Sequence, residues 1–174
     1  MDLLSTPSSR PQRIIRQGDI TDVAADVVIF STNTNLFLSG GAGASLLGVH
    51  GDPLQRAMHR ALAATGRKVA QRGSIFEIEP AKTWSARFFT VVATDGFYET
   101  SKEDTRKILE QVLCRCAELP EVKVVATTAL GTGYGNMEIE DFTEMPACRS
   151  PFNWGLRAGH SWRCLLPLCV PAEC

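Results

Sequence analysis

The chain lacks several features that would each decide its class. No apolar run approaches the roughly 20 residues of a membrane span. The stretch Met1 to Arg13 is polar, with Ser and Pro, and lacks the apolar core of a secretory signal. Formal net charge over 174 residues is −1, so no overall basic field calls for DNA, RNA or an anionic membrane. An anion would have to be held locally, by backbone dipoles. There is no Gly-x-x-x-x-Gly-Lys-[Ser/Thr] segment, which disfavours a P-loop nucleotidase. Cys164, Cys169 and Cys174 recur at intervals that match no zinc spacing, and Cys114 and Cys116 diverge by roughly 200° around a helix. The length suits one domain with a real core, and a reducing, cytoplasmic or nuclear compartment is the expectation for such cysteine usage.

What is present is strand and helix in alternation. Arg13 to Gln17 is a short strand candidate. Asp26 to Phe30 reads as a strand buried on both faces. Asp52-Pro53 has the form of a helix start, Leu54, Ala57, Met58, Ala61 and Leu62 make an apolar stripe, and Gly66 is a stop. Ser74 to Ile78 and Phe88 to Ala93 are further strands. Ser101 and Asp104 suggest a capping box, opening a helix with Ile108, Leu109, Val112, Leu113 and Cys116 on one face and ending near Leu119-Pro120. Val122 to Leu130 is the next strand. The pattern predicts an α/β domain with helices on both sides of a sheet.

Two glycine-rich segments fall at strand ends. Ala129-Leu130-Gly131-Thr132-Gly133-Tyr134-Gly135-Asn136 closes one apolar run, and Ser39-Gly40-Gly41-Ala42-Gly43-Ala44-Ser45 follows another. Without Cβ constraints, consecutive N–H groups can converge on an anion such as phosphate, although plain tight turns use such glycines too. Ligands of α/β sheets sit outside the carboxyl ends of strands, where both segments lie. A Rossmann dinucleotide domain fits less well, because its glycines should open a helix after the first strand.

After Phe142 the order breaks down. Thr143 to Cys174 holds four prolines, two tryptophans and four cysteines and has no sustained period. Leu165 to Val170 offers one short strand at best, interrupted by Pro167. We divide the chain into a segment 1–12, a module 13–142 and an atypical, poorly ordered tail 143–174. The helix and final strand of such a domain are expected to be replaced or missing, as in a truncated isoform.

The ordered set Gln17-Gly18-Asp19-Ile20-Thr21, Ala25 to Ile29, Ser31-Thr32-Asn33-Thr34-Asn35-Leu36, Gly40-Gly41-Ala42-Gly43 and Leu130 to Gly135 resembles a macrodomain over roughly residues 13–142. The resemblance implies a three-layer α/β/α fold with a central mixed sheet, and a ligand that is ADP-ribose, free or on mono-ADP-ribosylated proteins. It assigns adenine to Asp19 and the Ile20 N–H, the distal ribose to Asn33, and the phosphates to Gly40, Gly41 and Gly43 with Gly131, Thr132, Gly133, Tyr134 and Gly135. Tyr134 would pack over the distal ribose. Asp19 equally reads as a turn or cap residue, and Asn33 as a turn former.

The chain departs from hydrolytic macrodomains at two places. Their Asn-Ala-Ala-Asn segment has Phe30 at its first position here, and their loop Asp corresponds to Gly43. Neither residue can activate or orient a water. The pattern looks closer to the non-hydrolytic macrodomain of the large histone variants, so binding without catalysis, cofactor or metal is the expectation. A hydrolase of ADP-ribosyl-protein or O-acetyl-ADP-ribose and a non-binding scaffold remain as alternatives. His50, a conceivable general base near the first loop, reads more simply as a solvated side chain, as do Asp95 and Glu99.

Overall fold

The computed structural model describes residues 12–78, 81, 84–145 and, for the backbone alone, 163–168. Six strands make one sheet: β1 (Gln12–Gln17), β2 (Val27–Ser31), β3 (Ile75–Ile78), β4 (Arg87–Val91), β5 (Val124–Thr127) and β6 (Arg163–Leu168). Their order is β1-β6-β5-β2-β4-β3, parallel throughout except for the antiparallel β3–β4 pair. The helices are α1 (Gly41–Ala64), α2 (Lys102–Ala117) and the short α3 (Ile139–Thr143).

Period-two alternation on the central strand builds two cores. Val28 and Phe30 of β2 pack with Leu46, Leu54, Met58 and Leu62 of α1. Val27 and Ile29 face the other way, among Ile108, Leu109 and Val112 of α2 and Phe142 of α3. The result is the expected three-layer α/β/α order, with a mixed sheet between.

Local chemistry places most boundaries. Ser101 Oγ accepts the Asp104 N–H at 3.0 Å and starts α2. Only this half of the capping box forms, because the Asp104 carboxylate pairs instead with Arg72 at 3.0 Å. The Asp26 carboxylate accepts the N–H groups of Lys123 and Val124 at 2.7 and 2.8 Å, fixing where β5 begins beside β2. Gly66, at φ +72, follows the end of α1 as expected.

The helix expected from Asp52 is the second half of a longer one. Gly51, at φ 61 and ψ −161, breaks α1 between a first half that opens at Gly41 and a second that carries Pro53. Glycine-rich spacing hid that first half.

The strand expected at Leu165 to Val170 lies at Arg163–Leu168, between β1 and β5. The ladder to β5 ends at the Ala126–Leu165 pair, while the ladder to β1 runs on through Arg16–Pro167 and Gln17–Leu168. The rest of the atypical tail, 146–162 and 169–174, lies outside the described residues, as do 1–11 of the N-terminal segment.

Candidate functional site

The strands β2 and β5 are neighbours, yet β2 leads into α1 on one face and β5 into α3 on the other. Adjacent strands that diverge this way open a crevice at their carboxyl ends. A cleft of about 290 Å³ lies there, lined by Ser31 at the end of β2 with Thr32 and Asn33 beyond it, Thr94 after β4, and Thr128 and Ala129 after β5. Gly40 to Gly43 form one wall, and Gly131 to Gly135 the other. The volume stands at the lower end of the roughly 300–1,000 Å³ usual for small-molecule sites.

The first wall is a helix N-terminus. Gly40 caps α1 at φ 60 and ψ 160 and supplies no side-chain hydrogen bond to it. That conformation is open essentially to glycine alone. The first-turn N–H groups of α1 therefore meet the cleft uncapped, where the helix dipole favours negative charge. Gly41 and Gly43, read from sequence as loop, belong to this first turn. Gly43 is buried, and a Cβ there would sit 3.4 Å from the Leu38 main chain.

The second wall is a closed loop. Gly131 has φ 77, its carbonyl accepts the Met137 N–H at 3.4 Å, and Thr132 Oγ1 donates to the Ala129 carbonyl at 2.9 Å. Gly135 presses on Gly131 so closely that a Cβ would collide with the Gly131 carbonyl. The loop is tied to segment 94–100 through the Thr100 N–H, which donates to Asn136 Oδ1 at 3.3 Å, and through Tyr98 and Tyr134, whose rings lie 5.8 Å apart. Tyr98 holds φ 63, a strained setting for a bulky residue, and Tyr134 is 70% exposed.

Of the residues expected at the site, Asn33 and all eight glycine-segment positions line the cleft. Asn33 Oδ1 also makes the anticipated turn, accepting the N–H groups of Asn35 and Phe37, each at 3.1 Å. Asp19 and Ile20 are not among the lining residues. Ile20 is buried in the α1-side core, and Asp19 caps a short 3-10 turn, accepting the Thr21 N–H and hydroxyl at 2.9 and 2.7 Å. The Ser45 hydroxyl first, then the Thr21 N–H, hold its carboxyl below the ordinary value. Ser45 belongs to the first half of α1, so Asp19 adjoins the helix that forms the first wall.

The side chains of the lining residues include no carboxylate, imidazole, thiol, ammonium or guanidinium. Phe30 is fully buried and meets Phe88 edge-on, with centroids 6.3 Å apart. His50 is half-buried rather than solvated. It packs on Phe88 and Trp84, and burial lowers its pKa. The Asp95 carboxylate accepts the Phe97 and Glu99 N–H groups at 2.8 and 3.0 Å and so shapes the loop that carries Tyr98. No group of three metal-ligating side chains occurs among the described residues, and no described helix is long and apolar enough to cross a membrane.

The lining residues Phe37, Thr94, Tyr98 and Thr128 escaped the sequence reading. Thr94 and Thr128 directly follow apolar strands, which is the signal that marks them. Phe37 and Tyr98 reach the cleft through turns at Leu36 (φ 54) and Tyr98 itself, which no periodicity reveals.

No family model and no curated protein sequence matches the chain. Solved structures do match its fold. The macrodomain of Thermus aquaticus DarG superposes with a TM-score of 0.68 at 16% identity, over 89% of this chain and 98% of its own. The Trypanosoma brucei macrodomain in complex with ADP gives 0.72 at 16% identity, over 97% and 68%. The same protein in complex with ADP-ribose gives 0.68 at 16% identity, over 91% and 64%. The fold is that of macrodomains.

Proposed function

We propose that the chain binds ADP-ribose, free or attached to a protein side chain, and does not cleave it. One observation carries this reading. A cleft at the carboxyl ends of β2, β4 and β5 is walled by an uncapped helix N-terminus and a glycine loop, and its lining side chains offer no acid, base or nucleophile. Backbone N–H groups on two sides suit a diphosphate, because each contributes a fixed dipole without a mobile charge.

The ligand then runs across the cleft. The first turn at Gly40, Gly41 and Gly43 holds one phosphate, and Gly131 to Gly135 hold the other. The Asn33 Nδ2 group has no protein partner among the described residues, and it donates to the distal ribose while Oδ1 keeps the turn. Tyr134 covers that ribose. Adenine extends beyond the cleft along α1 towards Asp19, whose carboxylate accepts from the exocyclic amine, with the Ile20 N–H donating to a ring nitrogen. The T. brucei macrodomain, solved with ADP and with ADP-ribose, supports a ligand of this class.

Hydrolysis of an ADP-ribosyl bond needs a group that deprotonates or orients water near the anomeric carbon. Phe30 points into the core and Gly43 carries no side chain. Neither position supplies that group.

Incubation with a mono-ADP-ribosylated protein tests the proposal. The modified protein is expected to be retained on immobilised chain with its modification intact. Release of free ADP-ribose would establish a hydrolase instead.

A further inference from the structure

The segment between Asn33 and Gly40 is held by a side chain of α1. Gln55, in the second half of α1, accepts the Leu38 N–H on Oε1 at 2.8 Å and donates from Nε2 to the Leu36 carbonyl at 2.7 Å. These two bonds fix which end of the carboxamide is nitrogen. The same Nε2 lies 3.0 Å from His59 Nε2, one helical turn further on. A carboxamide nitrogen only donates, so His59 Nε2 must accept, and the ring proton sits on Nδ1. Both Gln55 hydrogens are then committed. The His59 ring also meets Phe37, a cleft residue, edge-on with centroids 4.6 Å apart.

We infer that Gln55 and His59 are positioning residues for the cleft, and that the neutral Nδ1–H form of His59 is required to hold the first glycine segment in its binding shape. The inference rests on the ADP-ribose reading for its affinity arm alone. A protonated ring would set a second donor against Gln55 Nε2. Gln55 cannot turn over without giving up both Leu36 and Leu38. The strained turn at Leu36 and the course of Phe37 into Gly40 therefore depend on His59 staying neutral.

The charged groups around this pair are few. On α1 itself they are Arg56, Arg60 and Asp52, of which Asp52 pairs with Arg56. The 3-10 turn packed on α1 brings Asp19, engaged with Thr21 and Ser45, and Asp22. β3 faces α1 through Phe76 and Ile78 and turns Glu77 to the α2 side, where it meets Arg87 and Arg115. β2 and residues 33–38 bring none. Arg67 and Lys68 precede Ala70, whose N–H donates to the Thr34 carbonyl at 2.7 Å.

NMR of the unliganded full chain reads this geometry directly. The expected result is an Nδ1–H tautomer of His59, with the Gln55 carboxamide and Leu38 amide signals both shifted in His59→Phe, which keeps a ring against Phe37 but offers Gln55 Nε2 no acceptor. In the same variant the affinity for ADP-ribose is expected to weaken about three- to tenfold, the worth of one hydrogen bond. An Nε2–H tautomer, a Leu38 amide that ignores His59→Phe, or a His59→Phe chain that binds ADP-ribose as tightly as the native chain would each overturn the inference. Absence of ADP-ribose binding by the native chain, with the Nδ1–H tautomer and the Leu38 response intact, would remove the ligand reading and leave the positioning pair standing.

Discussion

A methyl group placed on Gly40 would strike the Tyr134 ring, 2.9 Å from Cζ and 3.0 Å from Cε2. The two glycine segments thus close on each other across the cleft through the Tyr134 side chain.

Gly40→Ala is expected to weaken ADP-ribose binding at least tenfold, through the clash and through roughly 1–3 kcal/mol of backbone strain. In a Tyr134→Ala background the same substitution should cost measurably less, because only the strain remains. A double-mutant cycle by calorimetry checks this, and additive effects would mean that the two loops do not touch.

Gly135→Ala meets backbone rather than a mobile side chain, since its Cβ would collide with the Gly131 carbonyl. The second loop must open to admit it, at about 1–3 kcal/mol. A lower thermal midpoint together with lost ADP-ribose binding is the expected pair of results.

Asp26 supports the site from a distance. Its carboxylate holds the start of β5, and β5 runs on to the second glycine loop. Asp26→Ala leaves two N–H groups without their charged acceptor and is expected to cost about 2–3 kcal/mol in urea unfolding.

The carboxyl of Asp19 is held low by Ser45 and Thr21, so the folded chain takes up its proton less readily than the unfolded chain. The stability it adds is present above the unfolded carboxyl value of about 4 and is lost as pH falls through the lower folded value. Asp19→Ala should therefore cost about 1 kcal/mol at neutral pH, the usual worth of a cap. The difference should shrink as pH falls below that ordinary carboxyl value, as urea midpoints of both chains will tell.

The strands were legible where burial on both faces leaves a continuous apolar run, as at Val27 to Ser31 and Arg87 to Val91. The start of α2 was legible because Ser101 caps it by a local bond. Elements shaped by distant contacts were not. The first half of α1 opens on Gly40-Gly41-Ala42-Gly43, a composition that equally suits a loop, and Gly51 then interrupts its period. β6 was obscured by Pro167, which interrupts its short apolar run. Within the site, the glycine walls and Asn33 could be found because both lie where strands end. Tyr98 and Phe37 reach the cleft only through positive-φ turns held by Asp95 and by Asn33 and Gln55. Asp19 caps its own turn beside the first half of α1 and lies outside the residues that line the cleft.

We propose that a cleft built from backbone N–H groups holds a diphosphate ligand. Calorimetric titration of the full chain with ADP-ribose tests it most directly. Saturable one-to-one binding that Gly135→Ala abolishes is expected. A native, folded chain that gives no heat with ADP-ribose, and no shift of its thermal midpoint in excess ligand, would contradict it.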